Sequence, residues 1–348
     1  MKKLIFLTLL LSWVTPSHGS ERPIADLLVN QYELSLISRD DNHPNIDVTQ
    51  DNLYAILVLL HHGVPPNLIR AHFKWTEDEW QKRLGVLEKS EYVKKSADGQ
   101  FVPSIMIMTL DDGRGMKNNC GDLAEKTAAS IEQAIPSIKD RVALIGPLKR
   151  FSFQELSLLI LSDVMLDQWQ INNVEREFMR KDRPLRHGKH YYAALQEKSK
   201  GATGGAFGIY GNQVERHDNF YLCYYGNQRY TKEAQERRDR LKNAFSADGT
   251  VSCPILDDNS VAELDSLAAS FKPKLLTLLN EFRPYLEKQY SSSRFATEIS
   301  FEEYAIWWYH IFYSAVTDQL IQRGSITLPE GKVAFYFVRM NSSDKKAR

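Results

Sequence analysis

The chain has 348 residues, 43% of them apolar and 25% charged, with 44 basic side chains against 44 acidic ones. That composition supplies apolar material for two or three globular units and excludes extended disorder. A formal charge of zero excludes a global field that would draw the chain onto nucleic acid or an anionic membrane.

From the N-terminus, Met1-Lys2-Lys3 is a basic start, Leu4–Val14 an apolar run, and Ser17 and Gly19 are small residues suited to a cleavage site. This order predicts a secretory signal over 1–19, cleaved near Gly19/Ser20, and a periplasmic or secreted mature chain. Losing Lys2 and Lys3 would leave 42 basic against 44 acidic residues, a net −2. Residues 20–48 read as a polar, irregular arm around Asp40–Asn45.

Leu53, Ile56, Leu57 and Leu60 then recur at helical spacing, ended by Gly63, and Val64-Pro65-Pro66 turns into a second helix carrying Leu68, Ile69 and Phe73. Thr76-Glu77-Asp78-Glu79 is a capping box opening a third helix, with Trp80, Leu84 and Leu87 on one face. Tyr92-Val93, a turn at Asp98-Gly99 and the apolar run Val102–Met108 predict a β-hairpin.

Three helices and a hairpin, with Leu87–Val93 and the stretch Thr109-Leu110-Asp111-Asp112-Gly113-Arg114, make residues 49–115 resemble the MarR-like winged helix-turn-helix family of bacterial regulators. The wing closure has one residue more than that family's, and Gln100 stands where an arginine is common. The resemblance implies a winged-helix fold over about a fifth of the chain. It also implies a third helix that enters the major groove of DNA. Here that helix opens with Glu77, Asp78 and Glu79, which would face a polyanion, so no nucleic-acid partner is expected.

Further on, a helix spans Gly121 to Ile138, and Ile145-Gly146-Pro147 marks a boundary. The expected organisation is a winged-helix-like domain 49–145, a helical domain with a β-hairpin 146–245, and a C-terminal helical domain with a terminal β-hairpin 246–348. Ser152–Glu155 caps an apolar helix running through Met165 to Trp169. Ala206–Tyr210 and Phe220–Tyr225 read as strands joined around His217-Asp218-Asn219. Thr231–Phe245 reads as a solvated surface helix, 246–260 as a loop and 261–290 as helical. Ser300–Glu303 caps an aromatic helix reaching Gln322, and Ser325–Leu328 is expected to pair with Val333–Val338. Within that helix, Tyr304–Val316 has thirteen residues with a histidine and six aromatics, too short to cross a bilayer core of roughly 30 Å. It reads as buried, with His310 a satisfied core histidine. The fold class is mainly α, of the α+β kind, without a transmembrane span in the mature chain.

Chemistry concentrates in two places. His187 and His190, with His217 beside Asp218, are the candidate catalytic residues, as metal ligands or a general base. Their spacing matches no established ligand motif, so solvated side chains at loop tips are the first reading, and no metal or cofactor is expected. The repeated Tyr-Gly-Asn-Gln places Tyr210, Asn212 and Gln213 beside Tyr225, Asn227 and Gln228. With Arg186 these are the expected binding residues for a protein or glycan partner, although strand-end turns explain the same pattern. Gly201–Gly205 lacks a P-loop lysine, and no GxSxG is present. Cys120, Cys223 and Cys253 allow one disulfide at most; Cys120 sits near a helix start that could activate a thiol, but without a partner histidine a disulfide or an inert thiol is the first reading. The leading expectation is an exported, non-enzymatic binding protein. An extracytoplasmic hydrolase using the histidines comes second, and a DNA-binding regulator with a misleading N-terminus third.

Overall fold

In a computed structural model, residues 23–38, 42–44, 46–202, 204–247 and 250–340 are described. The expected signal over 1–19 lies outside them. The fold is 57% helical and 15% strand, a mixed α+β arrangement with small sheets. Among the described residues no helix is long and apolar enough to cross a membrane.

The arm expected to be irregular contains a short helix α1 (Ile24–Leu27) and a seven-residue strand β1 (Gln31–Ile37). Helices α2 (Leu53–His61), α3 (Pro66–Phe73) and α4 (Glu77–Lys89) follow, then strands β2 (Val93–Lys95) and β3 (Phe101–Pro103), paired antiparallel. Thr76 closes a reciprocal capping box with Glu79, and Trp80, Leu84 and Leu87 are buried in one core with Leu57 and Leu60. Gly99, at φ +81°, makes the hairpin turn that a side chain would strain.

After Pro103 the chain departs from expectation. β4 (Met106–Met108) leaves the hairpin for another sheet, and Thr109–Arg114 forms no wing. Thr109 instead caps α5 (Leu110–Asn119) in a reciprocal box with Asp112. Gly113 is needed because the Phe207 ring lies 2.2 Å from where a Cβ would stand.

α6 (Gly121–Val142) comes next. Ser152 caps α7 (Phe153–Leu158), which continues as a π-helical segment over Leu159–Val164; α8 (Ile171–Asn173) continues likewise over Val174–Met179. Strands β5 (Leu185–Arg186), β6 (Lys189–His190) and β7 (Tyr192–Lys198) follow. The strand expected at 206–210 is displaced. Phe207 takes a positive φ in a 3-10 turn over Ala206–Gly208, and β8 is Asn212–Arg216, joined to β9 (Phe220–Tyr225) around the expected tip. α9 (Lys232–Ser246) buries only Ala234 and Leu241, as its charge pattern predicts. The segment read as a loop includes β10 (Ile255–Leu256). α10 (Asp258–Ser291) is one 34-residue helix, followed by α11 (Phe295–Glu298), α12 (Phe301–Gln322) and β11 (Ala334–Arg339).

The terminal hairpin does not form: Ser325–Leu328 is not a strand. β11 lies between β10 and β9 in a sheet of order β10-β11-β9-β8, because its aromatic residues stack on β9, with Phe335 and Tyr224 centroids 5.7 Å apart. Period-2 patterning shows a strand but not its partner.

The other sheet, β1-β7-β4, is a wall between two cores. Tyr191, Ala193 and Leu195, with Ile107, pack against α2 and α4; Tyr192 and Ala194, with Met106 and Met108, join the larger core of α6, α10 and α12. Burial on both faces explains why β4 reads as a continuous apolar run, whereas β1, at the sheet's edge, is only half-buried. Ile138, Val142, Ile145, Leu148 and Leu156, on both sides of the 145–147 turn, share that larger core.

Candidate functional site

The apolar face of α2 carries its last residue, His61, inward until only 3% of it is exposed. Its Nδ1 stands 2.8 Å and 3.0 Å from the two carboxylate oxygens of Glu298, at the end of α11. Its Nε2 is 3.7 Å from Oδ2 of Asp112, in the first turn of α5. That same Oδ2 accepts from the Thr109 hydroxyl at 2.6 Å and the Thr109 N–H at 3.1 Å. Arg294, immediately before α11, donates to the His61 carbonyl. Three helices distant in sequence thus meet on one imidazole.

Burial opposes a charge on His61, but hydrogen bonds and Coulombic attraction from Asp112 and Glu298 outweigh it and raise its pKa above the usual 6.5. Burial pushes Asp112 the other way, yet the His61 and Thr109 bonds prevail and hold it below the ordinary carboxylate range. Both shifts run toward the charged forms, the imidazolium of His61 and the carboxylate of Asp112. Beside it opens a pocket of about 430 Å3. Ile24, Leu27, Val64 and Leu68 form its apolar wall, and Thr109, Asp112 and Arg294 join His61 on the polar side. Thr109 is the one hydroxyl in the lining and donates to Asp112.

The histidines singled out in the sequence lie elsewhere. His187 occupies the β5–β6 turn at φ +47°, its N–H donating to Glu91, and His190 Nδ1 stands 3.0 Å from the Arg183 carbonyl. His217 tips the β8–β9 hairpin against Phe220, next to exposed Asp218; burial and Lys242 lower its pKa. Among the described residues no group of three or more His, Cys, Asp or Glu side chains is placed to hold a metal ion.

Tyr210, Asn212 and Tyr225 do come together, but in the interior. Asn212 donates at 2.8 Å and Tyr336 at 3.2 Å to Asp163, in the first π-helical segment. The Tyr225 hydroxyl meets Ser162 at 2.6 Å, and Tyr313 donates to the Tyr210 carbonyl at 2.7 Å. Both Tyr210 and Tyr225 are buried, so neither ring offers a face to a glycan. Burial forces the Asp163 carboxyl well above its usual range and Asp167 up to about 7. Gln213 accepts from Tyr230, while Asn227 and Gln228 use main-chain carbonyls to hold Gly205 and Thr231, the bonding of strand-end turns. Arg186 is spent inside: it pairs with Glu303 at 2.5 Å and donates to the Tyr191 and Ser104 carbonyls. Glu303 therefore leaves the expected capping box half-closed, since only the Ser300 hydroxyl accepts from the Glu303 N–H.

His310 is a core histidine as expected, bonded to the Ile306 carbonyl and lowered by burial to about 4. All three cysteines are free and buried, and burial raises Cys120 to about 12, so of the two expected states the inert thiol holds and the disulfide does not. The chain matches no known protein family, no curated relative and no solved structure.

Proposed function

We propose that the chain is an exported, non-enzymatic binding protein that receives a small polar molecule beside the α2–α3 turn of a winged-helix-like unit. The observation that carries this reading is the pocket at His61. At about 430 Å3 it has the size of a small-ligand site, with fixed charges of both signs and an apolar wall. Both imidazole nitrogens face carboxylates, so His61 is a positioned, charged recognition group and not a free base. Export is supported by the basic, apolar and small segments of residues 1–19. Glu77, Asp78 and Glu79 at the start of α4 weigh against duplex DNA as the partner.

Thermal denaturation of the mature protein against a collection of polar metabolite-sized compounds tests the reading. Leu68, 43% exposed on the pocket wall, is replaced by arginine to fill the mouth. Saturable stabilisation that disappears in Leu68→Arg is expected. Stabilisation indifferent to that substitution, or none at all, would refute the pocket as the binding site. Hydrolysis is the second reading, favoured by one feature: Glu298 orients Nδ1 while Nε2 faces Asp112, a residue of the pocket lining, as in a held general base. Turnover of a bound compound, lost in His61→Gln, would move the assignment there.

A further inference from the structure

Resting on the reading of this pocket as a ligand site, we infer that its ligand is a zwitterion with an apolar side chain, of the class of free α-amino acids. Arg294 is exposed at the mouth and uses one guanidinium nitrogen on the His61 carbonyl. Its other N–H groups have no acceptor among the described residues. A carboxylate is the group that a planar fork of this kind binds in two places at once. Asp112 is the counterpart. Its Oδ2 is committed to Thr109 and His61, while its Oδ1 has no hydrogen-bond partner among the described residues. A carboxylate oxygen held ready in this way suits an ammonium group.

Charge balance narrows the class further. Asp111 on the lining pairs outward with Arg114, and the charges left are His61 and Arg294 against Asp112 and, behind the imidazole, Glu298, so the site is balanced but polarised. A ligand with net charge would leave one charge uncompensated in a half-enclosed site, whereas a zwitterion pairs both ends. Ile24, Leu27, Val64 and Leu68 supply the surface for an aliphatic side chain. The capping box at Thr109 and the Glu298 bond fix Asp112 and His61 before binding, so little ordering remains to be done on ligand arrival.

Calorimetric titration of the mature protein with leucine, N-acetyl-leucine and leucinamide tests the assignment. Leucine should bind at least tenfold more tightly than either blocked form. Arg294→Gln, checked for an unchanged circular-dichroism spectrum because Arg294 also donates to the His61 carbonyl, should weaken leucine at least tenfold and leave leucinamide unchanged. Equal binding of a blocked form, or indifference of leucine to Arg294→Gln, would overturn the inference. In parallel, the imidazole NMR signals of His61 and His62 are followed while neutral and charged fragments are added. Signals that respond to other fragments but not to leucine would discard the zwitterion and keep the pocket. Silence towards every compound would discard both.

Discussion

Two of the buried polar groups among the described residues treat their carboxylates in opposite ways. Around His61, Asp112 and Glu298 face a cation, and Asp112 is held below the ordinary carboxylate range. Around Asp163 and Asp167 the hydrogen-bond partners are neutral, an asparagine amide, tyrosine hydroxyls and a backbone N–H, and the Arg229 charge only partly offsets the burial of Asp167. There burial dominates and both carboxyls move toward the protonated form. Burial alone therefore does not mark a functional carboxylate. The sealed pair holds onto protons in the core, and the paired group favours its charged forms and sets Asp112 at a pocket.

The strongest test of this contrast is Glu298→Ala. Removing one member of a buried ion pair strands the other, and the loss should be about 3–5 kcal/mol in urea denaturation at pH 7. A loss below about 1 kcal/mol would mean that His61 is uncharged. His61→Gln should cost less, about 2 kcal/mol, the range for a hydrogen bond to a charged group. Its pH signature is the sharper measurement. With the folded pKa raised above 6.5, the His61 contribution is complete below pH 6.5 and lost as pH rises through the folded value. The variant should flatten the alkaline side of a stability–pH curve and leave the acid side alone.

Asp167 should act in the adjoining window. Between its ordinary 3.8 and about 7, the unfolded chain has released the proton and the folded chain keeps it, so stability falls as pH rises across that interval. Asp167→Asn should abolish the slope and raise the melting temperature at pH 8 by a few degrees. An unchanged slope would show the pair to be ionised and erase the difference between the two sites. Smallest of all, His187→Ala and His190→Ala should each change stability by less than about 0.5 kcal/mol, as solvated surface positions do.

Local signals were legible in proportion to how local their physics is. The capping boxes at Thr76 and Ser152, the Asp98-Gly99 turn, the Trp80–Leu84–Leu87 face and the solvated α9 each depend on residues a few positions apart. Thr109–Arg114 shows where that fails: the same letters suit a wing or a capped helix, and tertiary packing against Phe207 decides. The candidate site was nearly invisible. His61 and Glu298 are separated by 237 positions, and neither belongs to a motif. Its one readable trace was a histidine at the buried end of an otherwise apolar helix, where a polar ring needs a partner. Tyr210, Asn212 and Tyr225 were recognised as a group, but their strand alternation does not say which face looks inward when both are covered.

The position of β11 has a consequence for biogenesis. It is an inner strand of its sheet, between β10 and β9, although it is made about 110 residues after β9. At ribosomal speeds the β8–β9 hairpin waits roughly 5–20 s for its neighbour, with the edge that β11 will cover still open. A nascent chain in that condition exposes an open strand edge, the kind of surface that holdase chaperones cover. Chains terminated before Ala334 should accumulate in inclusion bodies.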